Sequence, residues 1–312
     1  MNAPTADATT LFTATGAVRL HEWGVIRAAG ADARKFLHGQ LTQDMEGLVA
    51  GRARLAGYCS PKGRLLATFV VWAAGEDLLL ACSADLLPPV LKRLSMFVMR
   101  AQCKLSDASA ELPLWGLTGS IGPAADAVVW GCGSSGSSQW VRLPDGVADG
   151  RPVSRGLWTG EAPADAAPLA HEVWLGLEAS SGVARVVAAT SEQFVPQMIN
   201  LELVGGVNFQ KGCFPGQEVV ARSQYRGTLK RRAQVVSSAQ PLKPGQEVFH
   251  DADPGQPAGM VVLAGELPGA GTVALVEIKL AAMEGGSLHA GTADGPQLKL
   301  GALPYAFPTE AP

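Results

Sequence analysis

The sequence predicts an α+β fold in which antiparallel sheets with a few helices lead into a small C-terminal β-barrel. Three observations predict it. Strand-like runs are joined by hairpin turns and interspersed with short helical patterns, which argues against a doubly wound parallel sheet. Neither GxGxxG after a strand nor GxxxxGK[ST] occurs, so nothing points to a nucleotide-phosphate loop. Beyond about residue 228, short β-rich runs alternate with Pro/Gly turns, the texture of a barrel.

Residues 1–17 are small and polar and read as a loose tail. Residues 18–29 read as one strand containing Trp23. GADARKFLHGQLTQD follows, with Ala33, Phe36, Leu37 and Leu41 at helical spacing behind Asp32 as N-cap. Residues 53–82 form a three-stranded meander that turns at Ser60-Pro61-Lys62-Gly63 and at Ala74-Gly75-Glu76-Asp77. A helix from about residue 84 or 88 to 97 sets Val90, Leu91, Leu94 and Met99 on or near one face, and a strand at 101–106 closes the unit. A second unit contains a strand at 112–117, a short helix at 123–130, a mobile GCGSSGSSQ loop (131–139) and strands at 140–143 and 156–158. An Ala/Pro-rich connector at 160–168 leads to a helix at 171–180, and residues 194–209 run into a cysteine-containing turn. Barrel strands are expected at 233–237, 259–264 and 272–278. The expected division is a tail (1–17), an α+β domain (18–110), a second α+β domain (111–228) and the barrel (229–312).

A chain of 312 residues suits two or three domains. With 47% apolar and 17% charged residues it can bury a substantial core and lacks the profile of a disordered chain. The net charge of −3 gives no global sign of nucleic-acid binding. Locally, residues 211–232 hold six basic side chains (Lys211, Arg222, Arg226, Lys230, Arg231, Arg232) against one acid, Glu218. Such a patch attracts a polyanion, or is simply a solvated face. The five cysteines (59, 82, 103, 132, 213) are odd in number and widely spaced, without the local spacing of a zinc site or a disulfide framework. A reducing cytosol and no stably bound metal are expected. The N-terminus lacks a signal-peptide pattern, and the longest apolar run, 65–74, is too short to span a bilayer, so a soluble cytoplasmic protein is expected. His21, His38, His171, His250 and His289 form neither HxH nor HExxH and read as ordinary histidines.

The stretch with most chemistry is KGCFPGQEVVAR, residues 211–222. Gly212 and Gly216 permit backbone angles or close approaches that a side chain forbids. Pro215 suits a first helical position, and Glu218 and Arg222 stand four apart in the favourable acid-before-base order. Cys213 then lies just outside a helix N-terminus with Lys211 two residues away, and both influences favour a thiolate. The same residues also fit a small buried packing cysteine.

KGC, an aromatic, one residue, GQE and a trailing AR resemble the signature of the YgfZ family, folate-binding relatives of the glycine-cleavage aminomethyltransferase (T-protein) associated with iron–sulfur enzyme maintenance. LHEWGVIRAAGADARKFLHGQLTQD, GYCSPKGRLLA, HEVWLGLEASSG, FVPQMINLELVGGVNFQKGCFPGQE and LPYAF extend the resemblance over nearly the whole chain. It implies a T-protein-like fold of three domains around a central opening, the last a β-barrel. It implies tetrahydrofolate or a derivative as cofactor, with Trp23 and Trp174 contacting the folate and Glu178 accepting hydrogen bonds from the pterin. It also implies a functional motif of Lys211, Gly212, Cys213, Gly216, Gln217, Glu218 and Arg222, with Cys213 as working thiol. Iron–sulfur enzymes or assembly factors, tRNA-modifying ones included, are the implied partners. The basic patch at 211–232 would meet tRNA or the glutamate tail of a folate. Apart from the resemblance, each tryptophan reads as core and Glu178 as an exposed helix-end carboxylate.

One departure matters. Where the aminomethyltransferase opens a strand with an acid pair, this chain has Leu66 and Ala67. Leucine cannot steer a proton, so folate binding is expected without that enzyme's mechanism. The alternatives are a folate-dependent one-carbon transferase using Cys213 and another acid, and an RNA-binding module.

Overall fold

A computed structural model describes residues 14–164, 166–225 and 229–307. Most of the expected tail, Arg226 and the boundary at 228 lie outside the described residues. Two five-stranded sheets and a closed barrel form the frame. The first sheet contains β2 (Trp23–Ala29), β3 (Arg54–Cys59), β4 (Leu65–Ala74), β5 (Asp77–Ser83) and β6 (Lys104–Asp107), ordered β3-β4-β5-β2-β6. The second contains β1 (Gly16–Arg19), β7 (Leu114–Thr118), β8 (Cys132–Ser135), β9 (Ser138–Ala148) and β10 (Arg151–Thr159), ordered β1-β7-β10-β9-β8. All their pairings are antiparallel.

The meander at 53–82 forms where its turn residues place it. Its apolar run is continuous because the first sheet is buried on both faces. Along β5, Leu78, Leu80 and Cys82 join the core shared with α1 (Ala33–His38) and α2 (Leu87–Val98), while Leu79 and Ala81 face the second sheet. Val25, Val70 and Trp72 meet Leu114, Val141, Leu143 and Leu157 there.

Several expectations need correction. The strand expected at 18–29 is two strands. Buried Leu20 turns the chain, so β1 pairs with β7 in one sheet while β2 lies between β5 and β6 in the other. Asp32 does not cap α1; its Oδ2 accepts the Gln102 backbone N–H at 2.7 Å. Residues 123–130 make turns and no helix, and Trp130 N–H bonds to the Arg142 carbonyl of β9 instead. The Gly/Ser stretch at 131–139 is the β8–β9 hairpin, in register from Cys132 opposite Val141 to Ser135 opposite Ser138. Met99 sits beyond α2 with φ 45° and is exposed.

Helix α3 (His171–Ser180) lies against the barrel and the second sheet, close enough that Gly176 touches Leu267. The barrel closes in the order β11-β14-β13-β12-β15-β16: β11 (Arg231–Ser238), β12 (Glu247–His250), β13 (Gly259–Leu267), β14 (Gly271–Lys279), β15 (Leu288–Ala290) and β16 (Gln297–Leu300). It has its own apolar core, including Val236, Val248, Val261, Val276 and Ile278. It is tied to the rest of the chain by Asn200, which donates to the Ala233 carbonyl, and by the Arg232–Glu202 ion pair. Tyr305 Oη of the LPYAF ending donates to the Gly182 carbonyl at 2.7 Å.

Gly116 of β7 lies under the Trp174 ring, and a Cβ there would stand 2.5 Å from Trp174 Cε3. Gly116→Ala should therefore cost about 1–3 kcal/mol as an overpacked core, read as a lower urea midpoint. An unchanged midpoint would mean that the ring can move aside.

Candidate functional site

Between the two sheets, at the end nearest α3, lies a narrow cavity whose interatomic space is about 370 Å³, open solvent at its mouth included, of which about 30 Å³ is accessible to water. Trp23, Thr68, Leu143, Arg155, Glu178 and Arg185 are among its lining residues. Trp23 and Glu178, expected to contact one ligand, are thus brought together. Trp174 is not on the lining: it is fully buried, and its ring lies 5.3 Å from the Arg155 guanidinium carbon. It reaches the cavity through Arg155.

Glu178 is a buried carboxylate, not an exposed one at a helix end. Its Oε1 accepts from Arg185 Nε and its Oε2 from Arg185 Nη2, both at 2.8 Å. This bidentate arrangement is the strongest form of a carboxylate–guanidinium contact. Arg185 Nη1 donates to Ser83 Oγ at 3.0 Å, and the guanidinium lies 4.9 Å from the Trp23 ring centroid. Burial pulls the Arg185 pKa down, but the Glu178 carboxylate outweighs it and leaves the guanidinium above its ordinary value. One face of Trp23 is therefore already covered by a cation.

Arg155 differs. It is 3% exposed, and its one side-chain hydrogen bond among the described residues runs from Nε to the Pro144 carbonyl, at 3.2 Å. No carboxylate within the described residues pairs with it. Burial pushes it down to about 10, with Glu178 the main opposing influence. The buried indole N–H of Trp23 also has no partner. Among the lining side chains, Arg185, Glu178 and Thr68 are engaged, the Thr68 hydroxyl accepting from Val186 N–H. Among the described residues, the buried lining donors left without a partner are the Arg155 Nη groups and the Trp23 indole N–H. Apolar walls, an indole and unspent donors suit a flat heteroaromatic ring bearing acceptor atoms.

The KGCFPGQE turn sits at the other end of the β3–β4 hairpin. Helix α4 (Gln217–Tyr225) begins at Gln217, so Pro215 precedes it and does not occupy its first turn. The reason is Gly216, whose φ of +80° ends the turn and lets it close on the Ser60–Gly63 turn. A Cβ on Gly216 would lie 2.7 Å from the Gly63 Cα. Gln217 Oε1 accepts the Phe214 N–H at 3.3 Å. Glu218 and Arg222, both exposed, form no ion pair among the described residues.

Lys211 has a defined job. Its Nζ donates to the carbonyls of His38 and Leu41 at 2.5 and 3.0 Å, where α1 ends, and lies 5.0 Å from the Phe214 ring. A cation is well placed on the unpaired carbonyls of a helix C-terminus. Burial pushes Lys211 down to about 8 against the pull of Asp44, Cys213 and Glu46. His38, an ordinary histidine by its sequence context, lies beside this turn. Its Nδ1 is 2.9 Å from Asp44 Oδ1, and its Nε2 would lie 3.4 Å from a Cβ on Gly212. Lys211 and His38 are 173 positions apart, so no local signal marks their contact. Cys213 is exposed, whereas Cys59, Cys82 and Cys132 are buried and Cys103 is partly so. Burial lifts the Cys59 and Cys82 thiols to about 12. Leu66 and Ala67 follow Leu65 at the start of β4, and among the described residues Glu178 is the sole carboxylate on the cavity lining.

The basic patch is divided. Arg231 is paired with Glu277, Arg232 is buried against Glu202, and Lys211 is engaged with α1. Arg222 and Lys230 are the exposed members among the described residues.

No protein-family model matches the chain. It is 32% identical over 237 residues to the tRNA-modifying protein YgfZ of Photorhabdus laumondii subsp. laumondii, covering 69% of this chain and 68% of that protein. It is 30% identical over 237 residues to the protein of the same name from Hamiltonella defensa, covering 69% and 67%. The solved glycine cleavage system aminomethyltransferase T from Bartonella henselae superposes with a TM-score of 0.69 at 18% identity, over 93% of this chain and 86% of that one. That likeness bears out the expected T-protein-like fold.

The Lys211 ammonium should titrate near 8. Because its folded value lies below the 10.5 of an unperturbed lysine, the folded state binds fewer protons between the two, and stability gains as pH rises from about 8 to 10.5. The stability of the protein relative to Lys211→Met should therefore rise across that window. A flat difference, with the ammonium titrating near ~10.4 as in a free lysine, would show that Nζ is solvated.

Proposed function

The chain belongs to the YgfZ family, and from that premise we propose that it is a folate-binding accessory protein supporting assembly or repair of iron–sulfur enzymes, tRNA-modifying ones included. The observation that carries the folate part is the cavity between the sheets, with its unspent donors on Arg155 and Trp23. Tetrahydrofolate or a derivative, when bound, would supply a reduced pterin able to carry a one-carbon unit. Trp23 contributes an apolar wall and an indole donor. Trp174 holds the Arg155 guanidinium by a cation–π contact. Glu178 acts through Arg185, which it fixes against Trp23.

Cys213 is the working thiol in this reading. It is exposed on a turn that Lys211 clamps to α1 and Gly216 clamps to the β3–β4 hairpin, so a partner can approach a sulfur whose surroundings are rigid. Iron–sulfur enzymes or their assembly factors are the partners, and Arg222 and Lys230 are the residues left to meet tRNA. Leu66 and Ala67 argue against aminomethyl transfer, because no carboxylate stands at the opening of β4 to stabilise the amine.

Three outcomes are expected. In calorimetry, tetrahydrofolate binds, and Trp23→Ala and Trp174→Ala each weaken it, the loss of an aromatic contact costing about 0.5–1.5 kcal/mol; unchanged affinity in both would return these residues to the core. Incubation with tetrahydrofolate and an aminomethylated carrier protein yields no methylene-folate, whereas robust turnover would promote the one-carbon transferase reading. In a deletion strain assayed for iron–sulfur enzymes, Cys213→Ser folds but does not restore activity, while serine at Cys103 does. Full rescue by Cys213→Ser would remove the thiol from the mechanism.

A further inference from the structure

The polar groups lining the cavity are unequally spent. Both Glu178 oxygens accept from Arg185, and Arg185 uses Nε, Nη1 and Nη2 on Glu178 and Ser83. The Thr68 hydroxyl accepts from the Val186 N–H. Arg155 has only its Nε engaged, although it is 3% exposed, and the Trp23 indole N–H is buried without a partner. A buried guanidinium with free N–H groups is costly unless something accepts from it. The missing partner is therefore an acceptor, and it has to enter the cavity.

Resting on the folate reading, we propose that Arg155 is a specificity-determining residue that reads the 4-oxo edge of a pteridine and rejects the 4-amino analogue. The 4-oxo oxygen and imine N5 of an oxidised or 7,8-dihydro 2-amino-4-oxopteridine repeat the O6/N7 edge of guanine, the pattern that a guanidinium fork reads in nucleic acids; in the tetrahydro form N5 carries a hydrogen, and the 4-oxo oxygen is the acceptor that remains. A 4-amino group in the same place presents N–H bonds to the fork, donor against donor, and leaves Arg155 unpaired. Trp174 keeps the fork from swinging away, since its fully buried ring faces the guanidinium and is itself pinned over Gly116. Each Glu178 oxygen accepts once from Arg185 and keeps a further acceptor site, which the 2-amino group common to both compounds can use without telling them apart.

The test is calorimetry of the full-length protein with two probes, folic acid and aminopterin, each used as such and after reduction to the tetrahydro form. In at least one redox form the 4-oxo probe should bind at least about tenfold more tightly than its 4-amino partner, within the range of a bidentate guanidinium–base contact. Arg155→Met should reduce that preference to less than about threefold, chiefly by weakening the 4-oxo probe, and Arg155→Lys should restore it only in part because it lacks the fork. If 4-oxo and 4-amino probes bind wild-type protein equally, the inference fails while the folate reading stands, and that comparison needs no variant to fold. A wild-type preference that Arg155→Met leaves intact also overturns it. If no probe binds in any form, the folate reading itself fails and takes the inference with it.

Discussion

One guanidinium holds three parts of the molecule in register. Arg185 grips the Glu178 carboxylate of α3 with two nitrogens, gives a third hydrogen bond to Ser83 at the end of β5, and lies on the indole of Trp23 at the start of β2. A buried ion pair of this kind adds little net stability, because desolvation offsets the attraction. Removing one partner is another matter: it strands a buried charge at a cost of roughly 3–5 kcal/mol. The pair is better understood as a device that fixes geometry, and what it fixes is one wall of the cavity.

The opposite wall follows the same rule with one partner missing. Arg155 rests on Trp174 as Arg185 rests on Trp23, but Arg155 has no carboxylate. The two arginine–tryptophan contacts face a common space, one satisfied and one not. The β3–β4 hairpin links this space to the cysteine turn. Thr68, Phe69 and Val70 of β4 line the cavity, while the turn at Ser60–Gly63 carries the contact with Gly216. The cavity between the sheets and the presentation of Cys213 therefore share one structural element. At the far side of the turn, Lys211 uses its charge on the end of α1, which makes the lysine a clamp for the loop that holds the thiol.

Much of this was legible in the sequence wherever local chemistry decides structure. The turn residues at Ser60–Gly63 and Ala74–Asp77 specified the meander, and the texture beyond 228 specified the barrel. The motif pointed to Cys213, which is the exposed cysteine. What escaped was long-range. Glu202 and Glu277 lie far in sequence from Arg232 and Arg231, so a patch that reads as free charge is largely paired. An arginine within a strand pattern looks like a solvent-facing residue, and neither Arg155 nor the loop Arg185 carries a local mark of burial. Trp23 and Trp174, the residues expected to contact the folate, are each already faced by a guanidinium. Leu20 breaks the first strand because two sheets compete for its ends, and a propensity argument does not see that competition. The stretch at 123–130 has helical composition, yet Trp130 is held by β9 instead.

The most direct measurement is a crystal structure of the protein with tetrahydrofolate. Density for the pteridine is expected between the two sheets, along Trp23 and with an acceptor edge within hydrogen-bond distance of the Arg155 guanidinium, while the Glu178–Arg185 pair stays closed. Density instead in the cleft lined by Arg64, Arg231 and Glu277, with the Arg155 guanidinium still unpaired, would contradict the assignment of the cavity.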